Sequence, residues 1–395
     1  MHKITVFYTR VLILFSFVLF PFILLLIWVR KSRNRRVNLE KMRILILPQL
    51  TRIGDVVCST PVFRALKEAY PDGHLAVLSS LNACGILKNN PRIDEIIVIE
   101  DWQDNFLGLL RKIRDDRFDW GISLSGSALS SVLFFYGLIP NRLKITRSAR
   151  PFAEIYSDWM CTLREEYGAL SYLPIFYLKM LRHLGIHSSD DRKEVFCRLE
   201  SGERVEAFFR SKRVAPEDTI VGVSLSAGNK IKEWGDDKFE ALCREIRKDY
   251  GMKIVIIGSL YEKQRIDALL GKLGDPTAFI SAVGFSIEEL PDLMKRFSYF
   301  IAVDTGPVHI AHALDIPIID ILGPVNDIEL TPRGNAAIIV KSPSDIPPTI
   351  FAFQEALDRE LTKKSMDSIT VAKVLDAFDC LVKQTQIPRT PRAVV

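Results

Sequence analysis

Cysteine and histidine are scarce in this chain, six of each in 395 residues. Cys58, Cys84, Cys161, Cys197, Cys243 and Cys380 contain no CxxC pair and no ligand-like spacing to histidine. That pattern argues against both a disulfide framework and a zinc site, and it implies reduced thiols in a cytosolic compartment. Repeats and low-complexity tracts are also missing, and 48% hydrophobic with 26% charged residues is a globular composition. Acidic residues are nearly absent from the first 43 positions, where nine Lys/Arg face Glu40 alone, a net of +8. The rest of the chain holds 44 Lys/Arg against 47 Asp/Glu, a net of −3. A basic leader on a near-neutral body argues against general nucleic-acid binding and points to a membrane surface.

Charge is wholly missing from Val11 to Val29, the 19 residues VLILFSFVLFPFILLLIWV. At about 1.5 Å per residue this run would measure about 28 Å as a helix, one hydrocarbon thickness. The rival reading is a cleaved secretory signal, but no small-residue cleavage site follows, and RKSRNRR comes at once. Arg30, Lys31, Arg33, Arg35 and Arg36 outnumber Lys3 and Arg10 on the other flank. The sequence therefore predicts a single span or interfacial anchor over 1–40, with the body at the cytoplasmic face of the inner membrane.

Beyond the leader, apolar runs of strand length alternate with helical patterns, which implies βαβ units and parallel sheets. Strands are expected at Arg43–Leu47, His74–Ser79, Glu95–Ile99 and Trp120–Ser123. A second cycle is expected from Ile220–Leu225 through Ile318–Leu322, with a helix over Tyr156–Leu184 between the cycles. The predicted domains are 41–213 and 214–365, separated near VAPEDT at 214–219, then a C-terminal helix over 366–385 and a tail over 386–395. Each domain reads as α/β, Rossmann-like and doubly wound, and the two are expected to face across a cleft where loops and helix N-termini converge on a ligand.

Four loops carry the candidate chemistry. The first, ILILPQLTRIGDVVCSTP, sets Asp55 between a strand and a helix that Thr60 and Pro61 are expected to open. In SAGNKIKEWGDDKF, small residues around Ser226 precede Lys232, a plausible diphosphate cradle or an ordinary βα loop with solvated lysines. In GSLYEKQR, Glu262 either favours the helix start or accepts ribose hydroxyls. In DTGPVHIAHALDIPIIDILGP, Asp304 and Thr305 end a strand. Gly306 allows close approach, Pro307 leaves first-turn amides free, and His309 follows in that turn.

The blocks GDVVCSTPVFRALKEAYP, SAGNKIKEWGDDKF and DTGPVHIAHALDIPIIDILGP, in this order and spacing, resemble glycosyltransferase family 9, the ADP-heptose:lipopolysaccharide heptosyltransferases. The resemblance covers residues 42–382. It implies a GT-B fold and metal-independent, inverting transfer from a nucleotide sugar (ADP-heptose) to a lipid-linked or core oligosaccharide, with no cofactor. It also implies Asp55 as general base, Lys232 and Ser226 on the donor diphosphate, and Glu262 on the ribose. By the same resemblance Asp304 meets the donor sugar, and Thr305, Gly306 and His309 form the phosphate-side loop. Met366 and Ile369 resemble the family's closing motif, in which Ser365 replaces a usual cysteine.

The acceptor pocket is expected in the less legible 127–200 stretch, where Arg142, Lys144, Arg147 and Arg150 form a basic run that could meet anionic lipid. A solvated surface is the alternative for that run. The rival functions are a nucleotide-sugar epimerase of the same architecture, heptosyl transfer to a protein or other non-lipid glycan, and a tethered sugar-binding protein without catalysis.

Overall fold

The structure is a computed structural model that describes residues 19, 21–29, 41–50, 52–99, 102–147, 152–168, 170–334, 336–355 and 358–385. The chain divides into two compact units, Met1–Asp191 and Arg192–Val395. The division falls ahead of the helix Leu199–Ser211 rather than in VAPEDT, because that helix packs against the second unit: Arg296 reaches Glu206, and Arg204 reaches the carbonyl of Gly284.

The first unit runs β1 (Arg43–Leu47), α1 (Ile53–Cys58), α2 (Thr60–Ala69), β2 (His74–Ser80), α3 (Leu81–Leu87), β3 (Glu95–Ile99), α4 (Trp102–Asp116) and β4 (Trp120–Ser123). It continues with α5 (Ala128–Tyr136), β5 (Asn141–Thr146), α6 (Phe152–Tyr156), β6 (Leu163–Glu166) and α7 (Leu173–Met180). Its parallel sheet has the order β3-β2-β1-β4-β5-β6. This is the doubly wound order whose switch point, between β1 and β4, binds ligands beyond the strands' carboxyl ends.

Two expectations change here. The stretch Tyr156–Leu184 is not one helix: it contains β6, pairing Leu143 with Leu163 at the sheet edge, and then α7. The charged LREE carries no apolar alternation, as befits an edge strand, so the sequence hid it. Of the hydrophobic leader, residues 21–29 are helical, and Ile23 and Ile27, one turn apart, are each 7% exposed within the first unit's core beside Leu45, Leu47 and Ala76. Phe22, Leu25, Leu26 and Trp28 face outward. Residues 11–18, 20 and the basic flank 30–40 lie outside the described residues, among which no helix is long and apolar enough to cross a membrane.

The second unit opens with α8 (Leu199–Ser211), then β7 (Ile220–Ser224), α9 (Asp236–Tyr250), β8 (Lys253–Gly258), α10 (Lys263–Leu273), β9 (Phe279–Val283) and α11 (Leu290–Met294). It goes on with β10 (Tyr299–Val303), α12 (Gly306–Ala313), β11 (Ile318–Gly323) and β12 (Ala337–Lys341). A short hairpin, Ile350–Phe351 with Gln354–Glu355, precedes α13 (Arg359–Asp367) and α14 (Val371–Thr385). The sheet order β12-β11-β10-β7-β8-β9 repeats the doubly wound pattern, with its switch point between β7 and β10. Near-continuous Val/Ile/Leu strands are what a parallel sheet covered on both faces requires. One such face packs on α9 and α14 through Val221, Ile301, Ile319, Phe239 and Phe378.

Gly222 in β7 is needed for packing. A Cβ there would come within 2.2 Å of the Phe297 ring, which stacks on Phe300. Gly222→Ala is expected to cost about 1–3 kcal/mol of stability by overpacking, measured as a lower denaturant midpoint; an unchanged midpoint would show that the ring simply moves aside.

Candidate active site

Asp55, Ser226, Lys232, Asp304 and Thr305 follow switch-point strands of their own units, whereas Glu262 follows β8 and Arg142 and Lys144 lie in β5. In the first unit, β1 delivers the loop that leads into α1. Asp55 lies in the first turn of α1, 5% exposed, with its carbonyl accepting the Ser59 amide at 3.1 Å. It is therefore helical rather than in the loop. Thr60 does not cap the following helix: Ser59 occupies that position and its hydroxyl donates back to the Val56 carbonyl at 2.6 Å rather than capping, while the Thr60 hydroxyl donates back to the Val57 carbonyl at 2.7 Å. Tyr177 of α7 is fully buried near Asp55, with no hydrogen-bond partner for its hydroxyl among the described residues; burial, and then the Asp55 charge, push its phenol well above the usual range.

In the second unit, the loop after β7 carries Ser226 and reaches a 3-10 turn at Lys230–Lys232. The Lys232 ammonium donates to the Asp304 carbonyl at 2.8 Å and pairs with the Asp304 carboxylate at 2.7 Å. The loops after the two switch-point strands are thus joined by one side chain. Trp234 holds the turn in place: it is buried, packs edge-on against Phe239, and donates its indole N–H to the Ile369 carbonyl at 2.8 Å. Met366 of the same closing segment fills the space that the positive φ of Gly323 leaves beside it. The Met366 and Ile369 pattern thereby acquires a structural meaning.

Thr305 precedes α12 in an extended conformation, and Gly306 and Pro307 open the helix. His309 is buried, with Nδ1 3.1 Å from the Lys193 ammonium. A lysine can only donate, so the imidazole accepts at Nδ1 and keeps its proton on Nε2. Burial, and then Lys193, hold its proton affinity well below the ordinary histidine range, so His309 is a neutral donor at neutral pH.

Glu262 completes a capping box: it accepts the Ser259 amide at 2.8 Å and the Ser259 hydroxyl at 2.7 Å. Burial pushes its carboxyl up, but hydrogen bonds from Ser226 and Ser259 outweigh this and hold it below the usual glutamate range. Ser226 also accepts from Arg265 at 3.0 Å, while Arg265 pairs with Asp236 and Glu233. Ser226 and Glu262 are therefore brought together.

Two members of the basic run, Arg142 and Lys144, are turned away from solvent. Arg142 and Lys144 are 4% and 1% exposed, because β5 turns both to one buried face. Arg142 donates to the carbonyls of Met160 and Ile139, and burial lowers its guanidinium to about 10. Lys144 donates to Ser157 at 3.0 Å and pairs with Asp158 at 3.4 Å. Arg147 pairs with Glu154 at 3.2 Å, and Arg150 lies outside the described residues. Their donors are thus engaged internally in this structure. The sequence reading also missed Lys193, Arg265 and Asp320. Of these, Asp320 had a visible signal, a lone acid inside the apolar IIDILG.

Two doubly wound units in succession, each with a six-stranded parallel sheet, are the elements of the GT-B fold. The model of glycosyltransferase family 9 (heptosyltransferase) matches residues 106–350, and the chain belongs to that family. It is thus a glycosyltransferase. Lipopolysaccharide heptosyltransferase 3 of Escherichia coli is 24% identical over 301 residues, covering 72% of this chain and 85% of that protein. A glycosyltransferase family 9 crystal structure from Veillonella parvula DSM 2008 superposes with a TM-score of 0.71 at 20% identity, covering 88% of this chain and 99% of that one. E. coli ADP-heptose lps heptosyltransferase II gives 0.69 at 17% identity, covering 87% and 100%.

Proposed function

We propose that the enzyme transfers heptose from ADP-heptose to a hydroxyl of a lipopolysaccharide core, with inversion and without a metal. The observation that carries the reading is Lys232, joined to Asp304 at the second switch point, where the charge of a departing diphosphate needs a cation. The donor and acceptor classes are supported by its relatives, which include an ADP-heptose lps heptosyltransferase and lipopolysaccharide heptosyltransferases.

In the reaction the acceptor oxygen attacks the anomeric carbon and its proton passes to the Asp55 carboxylate. The bond from that carbon to the diphosphate oxygen breaks, and the nucleoside diphosphate leaves with the electron pair. Attack opposite the leaving group inverts the anomeric centre. Lys232 and the first-turn amides of α12 meet the growing charge, with the Thr305 hydroxyl and the His309 Nε2–H as further donors. Glu262 serves the ribose end, Ser226 beside it serves the diphosphate, and Asp304 serves the sugar hydroxyls.

The leader supports attachment at the cytoplasmic face of the inner membrane by lying on it: Ile23 and Ile27 point into the body, while Phe22, Leu25, Leu26 and Trp28 face outward beside a basic flank.

The test is to offer the purified chain ADP-, UDP- and GDP-sugars with core oligosaccharide, in EDTA, and to determine the product's anomeric configuration. ADP-heptose alone is expected to give an inverted glycoside. Sugar isomerised without acceptor would instead identify an epimerase, and retention of configuration would sink the mechanism.

A further inference from the structure

Asp320 is wholly buried in β11, and neither of its carboxyl oxygens has a hydrogen-bond partner among the described residues. The register shows which way it points. Asp320 stands opposite Ala302 of β10, and Ala302 stands opposite Ser224 of β7, so the three form a row on one sheet face. Their neighbours Ile319, Ile321, Val303 and Val223 belong to the core on the other face. Asp304 follows directly on β10, two residues beyond Ala302, and its amide donates to the Ile321 carbonyl beside Asp320. The charged groups that act on Asp320 are Asp304 from the loop after β10, Lys232 from the loop after β7, and Lys193 from the segment before α8. Both lysines also act on His309 of α12.

We propose that Asp320 is held as a neutral carboxylic acid and sets the charge of the diphosphate pocket. With its proton, Lys232 and Lys193 outnumber Asp304. Without it, the surplus is cancelled and the pocket loses affinity for a nucleoside diphosphate. The proposal rests on the donor reading above.

The physical case begins with hydration. A carboxylate stripped of water and given no donor in exchange is costlier than the protonated acid. The negative charge of Asp304 adds to that penalty, and two lysines act against it. Burial is the larger effect and leaves Asp320 well above the usual carboxylate range. His309 does not alter the count, because it is neutral. Asp320 is thus a positioning residue, acting on the donor through the charge balance of Lys232, Lys193 and Asp304.

The test is ADP affinity of the full chain and of Asp320→Asn, by calorimetry, as pH is raised from neutrality, above the last phosphate ionisation of about 6, with the protonated-carboxyl infrared band of wild type followed in parallel. Over the interval in which wild type loses that band its affinity is expected to fall about tenfold relative to the variant, since only wild type creates a new charge in the pocket; a band already absent at neutral pH overturns the proposal. A merely structural role would shift both ends equally, and a constant wild-type to variant ratio overturns the proposal. If the variant does not fold, wild type alone decides. A fall in affinity accompanied by loss of a protonated-carboxyl infrared band supports the proposal, and either one unchanged overturns it. Absence of ADP binding at every pH overturns the donor reading and this proposal together, whereas binding with a constant ratio overturns this proposal alone.

Discussion

Asp55→Asn is expected to lower kcat by about a hundredfold to ten-thousandfold, the usual worth of a positioned general base, while ADP affinity stays within about twofold of wild type. Asparagine keeps the shape of the side chain and removes the proton acceptor. Asp55 is also an acid in the first turn of α1, so a purely structural role has to be weighed. Favouring the helix dipole is worth about 0.3–1 kcal/mol, which would appear as a small drop in unfolding midpoint with turnover intact. An aspartate with an ordinary proton affinity near about 4 is a poor base for a sugar hydroxyl. Such a base works only when held close to the proton and shielded from water; Asp55 is 5% exposed, with the buried Tyr177 near it. Turnover above about a tenth of wild type in both Asp55→Asn and Asp55→Ala would remove it from the mechanism.

Lys232→Ala is expected to weaken ADP binding by about tenfold to a hundredfold, the range for one charge-assisted hydrogen bond of about 1.5–3 kcal/mol. Two effects act in the same direction. The cation that meets the diphosphate is lost, and the Asp304 carboxylate, only 8% exposed, is left facing the anion without its partner. Adding Asp304→Asn to Lys232→Ala should therefore recover part of the affinity, because it removes the repulsion though not the missing donor. ADP affinity within about twofold of wild type in the single variant would show that the lysine serves only to tie the two loops together.

What was legible follows from which interactions are local. The strands of both sheets' centres stood out because parallel strands buried on two faces must be apolar throughout. RILIL, IVGVS and YFIAV could hardly have been anything else. Two strands escaped notice: LREE at the sheet edge and NRLKIT beside it carry charges, and only the pairing of β4 with β5 and β5 with β6 makes strands of them. The same cause hid the burial of Arg142 and Lys144. A basic run looks solvated until the fold supplies the carbonyls of Met160 and Ile139 and the Asp158 carboxylate that satisfy it inside. Glu262 had two open readings, and the capping box with Ser259 realises the local one while leaving its contact with Ser226 toward the site.

By itself the sequence determined two α/β units, the loops that carry polar residues at strand ends, and the identity of Asp55, Lys232 and Asp304 as residues worth following. Those depend on composition and period within a few neighbours. The tertiary structure alone decided that Lys232 reaches Asp304 across 72 positions, that Lys193 sits on His309 across 116, and that Asp320 stands buried beneath them. Such contacts are set by strand order, which places β7 beside β10 and β10 beside β11 although they lie far apart in the chain. Charge balance at the second switch point is a property of that order, and no stretch of sequence read alone contains it.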